Sequence, residues 1–433
     1  MTFAYHPDDA GLSPQLMVAC RHAPELLADI HSGLEARQTE IQIMTRLRKS
    51  WAHEVVRAAM VLVKSSRRAM EPGGKFARLR PRCAFFWTSP EALEQATPLA
   101  AAVHKARRMA TIRPDAPLVV DACCGIGGDS LALGRHWPLF SLDISPVRSL
   151  MADWNLQSLG LQHLAMVADV LRMPLNIPPG SLGHIDPSRR SAGRRTRDEL
   201  FPDISRVLDW ASGFALSAVK LSPAADFNAL PRAPLEILAV GSHVVEATLW
   251  LAKEQDSIAL AARTATIISG DGTWELSAAP EPPAPAAPID EFLFELSGAV
   301  TRAALAPNLS AALNIWPASV DGGYATGPSA ISHPAIRSFR VLRVVRFDPG
   351  RLRKEIASIA PQNPSPGPMM LEIKTRGGLK IDTDKLQKQL APLCRESLAI
   401  LIFASASGVV AAITQRIRDD HFRGDAAGGS GVC

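Results

Sequence analysis

Residues 118–130 read LVVDACCGIGGDS. An apolar run ends in an acid, two adjacent cysteines follow, and glycine then stands at positions 125, 127 and 128. A short apolar run closed by glycine reads as a buried strand. A glycine-rich turn behind a first strand brings backbone N–H groups and a helix N-terminus to a ligand. The stretch therefore predicts a nucleotide-type cofactor, with Gly125, Gly127 and Gly128 permitting close approach.

The neighbouring sequence keeps the same rhythm. PLVVD, PLFSLD, HLAMVAD, LGHID and FALSAVKL are short apolar runs separated by helix-like stretches. That alternation is the βαβ pattern of a doubly wound, mostly parallel sheet in an α/β fold. EILAV, HVVEATLWL and RTATIIS then follow one another without helices, which predicts an antiparallel pair at the sheet edge. Upstream, LLADIHSGL, SWAHEVVRAAMVLVKSS and SPEALEQATPLAAAVHKARRMA have helical spacing, so residues 1–112 are expected to be a helical region. Ser89 is a natural N-cap there, with Pro90 at the first helical position.

AAPEPPAPAAPID (278–290) has five prolines in thirteen residues and reads as a linker. It closes a cofactor-binding domain over 113–277 and leaves an intermediate segment at 291–338. FRVLRVVRF, DPGRLRKEIASIA with Asp348 as N-cap, MMLEIK, DTDKLQKQLAPL and the pair AILIFAS/GVVAAIT predict a small α+β domain over 339–418. GDAAGGSGVC, covering 424–433, is expected to be a disordered tail.

A net charge of +5 is mild, so the placement of charge matters more than its total. No apolar run is long enough to span a bilayer, and the N-terminal stretch lacks the pattern of an export signal. The six cysteines form no zinc spacing. Cytoplasmic location, no membrane partner and no metal are the expectations. Adjacent Cys123 and Cys124 are expected to be small buried side chains beneath the cofactor.

The acids select the cofactor. Ser130 stands where a dinucleotide fingerprint wants its third glycine, and Asp129 stands where a pyrophosphate would be repelled. Asp121, Asp143 and Asp169 close the first three strands, and Asp143 lies at the spacing that places an acid on ribose hydroxyls. An acidic rim suits a cationic ligand, so S-adenosylmethionine fits better than NAD.

VVDACCGIGGD, LFSLDIS, MVADV and HIDPSRR together resemble a class I S-adenosylmethionine-dependent methyltransferase with a Rossmann-like sheet. ALEQATPLAAAVHKARRM (92–109), DPSRR and LEIKTRGGLKIDTDKLQKQL (371–390) resemble a narrower bacterial branch with a THUMP-like C-terminal domain, related to trimethylguanosine-synthase-type enzymes. The likeness spans roughly residues 80 to 415. It implies that Asp121 and the Gly125–Gly128 backbone hold the methionine end, with Cys123 also among the cofactor-binding residues. It implies further that Asp143 holds the ribose and Asp169 with its neighbours the adenine, with Ile144 and Val170 also among the cofactor-binding residues. A THUMP-like domain implies RNA as partner.

In that family the end of the fourth strand faces the transferred methyl, and nitrogen methyltransferases often carry Asp/Asn-Pro-Pro-aromatic there. This chain has Asp186-Pro187 followed by Ser188-Arg189, so the acid is present and the stacking aromatic is not. Asp186 and Pro187 are the expected catalytic pair, acting by positioning a nitrogen nucleophile. An arginine can also stack on a base. Arg189, Arg190, Arg194, Arg195 and Arg197 are expected to contact phosphates of the substrate. Methyl transfer to a nitrogen of an RNA base is the leading expectation. A non-catalytic RNA-binding protein, or a methyltransferase for a small anionic or protein substrate, are the alternatives.

Overall fold

The computed structural model describes residues 11–172, 176–187, 190–191, 194–195, 203–253, 260–270, 272–359, 370–394 and 396–417. The chain divides into two compact units, Met1–Pro234 with Val245–Leu260, and Leu235–Val244 with Ala261–Cys433.

The first unit opens with helices α1 (Pro14–Arg21), α2 (Pro24–Glu35), α3 (Glu40–Leu47) and α4 (His53–Met70). Helix α4 buries Val56, Ala59, Leu62 and Val63, a stripe at helical spacing. Full burial of such an aliphatic side chain is worth roughly 1.5–3 kcal/mol. The expected long helix after Ser89 is in fact two, α5 (Pro90–Gln95) and α6 (Leu99–Ile112). Pro98 explains the break, because it lacks an N–H and pushes Thr97 away from helical angles. Ser89 caps α5 as expected, accepting from the Ala92 amide at 3.1 Å.

Strands and helices then alternate: β1 (Val119–Ala122), a single turn α7 (Ser130–Leu133), β2 (Leu139–Asp143), α8 (Pro146–Ser158), β3 (His163–Val167) and β4 (Leu182–Ile185). A two-residue hairpin, β5 (Arg190–Ser191) and β6 (Arg194–Arg195), follows. Helix α9 (Ile204–Ser212) leads into β7 (Leu216–Leu221). After β8 (Leu235–Val240) in the second unit, the chain returns through β9 (His243–Ala252). The sheet strands of this unit lie in the order β9-β7-β4-β1-β2-β3. All pairings from β3 to β7 are parallel, and β9 runs antiparallel to β7. The expected mostly parallel α/β sheet is present, with order reversing at β1. Such a reversal opens a crevice at the carboxyl ends of the strands.

In the second unit β8 pairs in parallel with β10 (Arg263–Ser269), which pairs antiparallel with β11 (Gly272–Ala278). The expected antiparallel edge is therefore the β10–β11 hairpin, while β8 and β10 run the same way. β12 (Phe292–Leu296), α10 (Gly298–Arg302), α11 (Ala306–Leu313), β13 (Trp316–Pro317), β14 (Tyr324–Gly327) and β15 (Ile336–Arg346) come next. They are followed by α12 (Pro349–Ser358), β16 (Leu371–Thr375), α13 (Thr383–Leu390), β17 (Leu398–Ser405) and β18 (Gly408–Arg416). Seven of these strands form one sheet, β13-β14-β12-β15-β18-β17-β16.

Two differences from the expected domain plan stand out. The seven-stranded sheet takes strands from both sides of residue 338, because β12 and β15 are hydrogen-bonded partners. The compact units also do not part at the Pro/Ala stretch, because β8 and β10 pack against α10 beyond it. The expected disordered tail lies outside the described residues.

Candidate functional site

The glycine loop is held from three sides. Gly125 and Gly127 adopt φ of +57° and +85°, which glycine tolerates without steric cost. A Cβ at Gly128 would meet the Thr97 carbonyl at 3.2 Å and its amide nitrogen at 3.3 Å, so the α5–α6 break presses on the loop there. Buried Asn155 of α8 donates to the Ile126 carbonyl at 3.0 Å and to that of Trp87 at 2.9 Å. Cys123 shares the left-handed region at φ +57°, uncommon for a side-chain-bearing residue. Burial first, then the carboxylates of Asp143 and Asp186, push its thiol well above the ordinary cysteine range. Burial and Asp143 do the same to Cys124, so neither is a reactive thiolate.

Around this loop lies a cavity of about 360 Å³, lined by seven carboxylates against three cationic side chains. Its size is in the range of small-molecule sites. Every expected cofactor residue except Gly127 lines it, and so do Asp186 and Pro187. Asp143 accepts from the amides of Gly125 and Ser145, both at 2.8 Å. Asp169 accepts from the Leu171 amide at 3.1 Å and pairs with Arg172 at 3.2 Å. These contacts orient the two acids at the cavity wall.

Asp121 is buried and faces two side chains. Ser130 donates to its Oδ2, and His184 Nδ1 lies 2.7 Å from its Oδ1. Strand register explains the second contact, because Asp121 and His184 are directly opposite in the parallel β1–β4 pair. His184 Nε2 lies 3.1 Å from Lys105 Nζ, on α6. The same ammonium reaches Asp129 at 2.9 Å and Glu246 of β9 at 3.1 Å. Burial opposes the charge on Lys105, but Asp129 and Glu246 outweigh it and hold the ammonium above the usual lysine range. Burial likewise disfavours the Asp129 carboxylate, yet Lys105 keeps it well below the usual range. Asp129 thus stands in the cavity wall as half of an ion pair, whereas the sequence alone suggested an uncompensated charge.

The chain of contacts continues to the fourth strand. Thr97 donates to Asp129 at 2.5 Å and accepts from Lys220 at 2.7 Å. Lys220, near the end of β7, donates to Asp186 at 2.6 Å. Burial opposes its charge, but Asp186, then Asp129 and Glu246, hold the ammonium above its ordinary value. Lys75 donates to the carbonyls of Leu93, Glu94 and Ala96 at 2.9, 2.7 and 2.7 Å. Burial and then the Lys220 charge push its pKa down to about 8.

The arginine-rich segment is described only in part. Arg190, Arg194 and Arg195 lie on the β5–β6 hairpin directly after Asp186 and Pro187, while Arg189 and Arg197 lie outside the described residues. Lys105, His184, Lys220, Thr97 and Glu246 were missed from the sequence. A lysine inside the apolar strand FALSAVKL and a histidine inside LGHID were the available signals.

No family model matches the chain. An uncharacterized S-adenosylmethionine-dependent methyltransferase of Mycobacterium tuberculosis, strain CDC 1551 / Oshkosh, is 31% identical over 364 residues, covering 82% of this chain and 95% of the relative. Its counterpart in strain ATCC 25618 / H37Rv matches with the same 31% identity and the same coverage. Among solved structures, a proposed methyltransferase from Porphyromonas gingivalis W83 superposes with a TM-score of 0.65 at 16% identity, over 91% of this chain and 99% of that one. The likeness in structure establishes the fold, and the sequence identity over nearly the whole of the mycobacterial relatives establishes the family. The chain belongs to the S-adenosylmethionine-dependent methyltransferases.

Proposed function

We propose that the enzyme methylates a nitrogen of an RNA base, with Asp186 and Pro187 presenting that nitrogen to the methyl group. S-adenosylmethionine supplies an electrophilic methyl on a sulfonium. The observation that supports this reading is that Asp186 and Pro187 line the same cavity as Asp121, Asp143 and Asp169 and lead directly into the arginine hairpin. The Asp186 carboxylate accepts an N–H of the acceptor and keeps its lone pair aimed at the methyl, which is catalysis by orientation. Lys220 fixes that carboxylate from one side. Asp121 and the Gly125–Gly128 backbone hold the methionine end, Asp143 and Ile144 the ribose, and Asp169 and Val170 the adenine.

The excess of carboxylates in the cavity disfavours a small anionic acceptor and favours a neutral base entering from a backbone held outside. Arginines of the β5–β6 segment are assigned to that backbone. A THUMP-like role for the C-terminal sheet belongs to the same reading, supported by Arg340, Arg343 and Arg346 along β15. The test is a comparison of modified nucleosides in total RNA from cells with and without the protein, and with Asp186→Ala. One modified base should vanish in both deficient strains. An unchanged nucleoside profile would remove RNA as the acceptor.

A further inference from the structure

Lys105 is fully buried, sits on a helix outside the sheet, and touches neither the expected cofactor residues nor the acceptor strand end directly. Its ammonium has three N–H groups and three acceptors around it: Asp129 Oδ1 at 2.9 Å, Glu246 Oε1 at 3.1 Å and His184 Nε2 at 3.1 Å. An ammonium donates and cannot accept. His184 Nε2 must therefore offer a lone pair, and the ring's one proton sits on Nδ1, where it meets Asp121 Oδ1 at 2.7 Å. A protonated ring would set a second cationic N–H against the lysine at that same short distance.

From this we infer that Lys105 is a positioning residue: it fixes His184 as the neutral Nδ1–H tautomer, so that Asp121 keeps an uncancelled negative charge for the cofactor's ammonium. The inference rests on the reading that Asp121 holds the methionine end. Both hydrogen bonds to Asp121 then come from neutral donors, Ser130 and His184. The carboxylate is oriented without being neutralised. Without Lys105, His184 would stand between Asp121 and Asp129, whose Oδ1 lies 3.8 Å from its Nε2. With Glu246 then unpaired on β9, this surrounding draws a proton onto the ring, against which Lys220 and its partner Asp186 contribute a nearly balanced pair. The resulting imidazolium would cancel the charge of Asp121. An N-terminal helix thereby sets the electrostatics of a cofactor site built on the sheet.

Histidine nitrogen NMR on the full-length protein, assigned with His184→Asn, reads the tautomer directly. The neutral Nδ1–H form is expected at pH 5.5 and at pH 7; the Nε2–H form or an imidazolium overturns the inference, whatever the variants do. The second reading is calorimetric titration with S-adenosylmethionine over the same pH range, where the ligand's own α-amino group stays charged because such groups titrate near about 7.7–8.0. Wild-type affinity should be flat. Lys105→Gln should bind about tenfold more weakly at pH 5.5 than at pH 7, as the new imidazolium offsets Asp121. Lys105→Gln with His184→Asn should be flat again, a rescue that general loss of packing would not produce. A Lys105→Gln affinity without pH dependence overturns the inference. Asp121→Asn separates the two layers: affinity equal to wild type would remove the reading on which the inference rests, while the tautomer remains decided by NMR.

Discussion

Asp143 shows how one carboxylate can brace the glycine loop while lining the cavity. Its two oxygens take the amides of Gly125 and Ser145, which fixes a left-handed glycine that would otherwise sample many conformations. Asp143→Ala should weaken S-adenosylmethionine binding by about 2–3 kcal/mol, roughly 30- to 150-fold in Kd by calorimetry, since charge-assisted bonds are lost together. A change below threefold would show that the loop holds its shape without the acid. Lys220 acts at the other end of the cavity. Lys220→Met frees Asp186 and should lower kcat by about 100-fold, the scale of a misplaced reacting group, while cofactor affinity stays nearly unchanged. A matching loss of cofactor affinity would assign the lysine to the cofactor instead.

At the level of elements, the site depends on where α5 and α6 meet. Lys75 reaches from the segment after α4 and ties down three carbonyls around the end of α5. Its pKa of about 8 lies below the value of an unfolded lysine, about 10.4. Between those values the unfolded chain binds more protons than the folded one, so this residue's contribution to stability rises with pH across the window. Urea unfolding at pH 7.5 and 9.5 should show wild type gaining on Lys75→Met as pH rises. A difference that shrinks would mean that the carbonyls hold the ammonium above its ordinary value. The same junction marks what could be read in advance. Asp121, Asp143 and Asp169 were legible because each lies at or just past the end of a strand, and the glycines because they cluster directly behind the first. Asp186-Pro187 was legible for the same reason. Lys105, His184, Lys220 and Glu246 were not, because their pairing is set by register and by a helix packed across many residues of chain. Lys105 and Glu246 are far apart in sequence, and nothing local to either names the other. The α5–α6 break was visible as Pro98, yet helical spacing on both sides of it suggested one helix.

For the whole molecule, RNA recognition is the property to test with the full chain. Affinity for total RNA should fall steeply with salt, and Arg194→Ala with Arg195→Ala should reduce the slope of log K against log salt by about 1.4–1.8. Binding that ignores salt would argue against a phosphate-contacting role for the hairpin. Among the described residues no helix is long and apolar enough to cross a membrane. The path of the chain has a further consequence. It leaves the first unit at Pro234, builds β8, and returns at Val245 before leaving again at Leu260. During synthesis, β8 therefore emerges before β9 has completed the first unit, and waits for β10 and α10 to complete its own. Neither unit is a continuous stretch that a single cut could free. Protein engineers who stop the chain at the Pro/Ala segment would keep every residue that lines the cavity and still strand β8 and β10 without the helix they pack on. The interlacing makes the two units inheritable only together, by recombination as much as by translation.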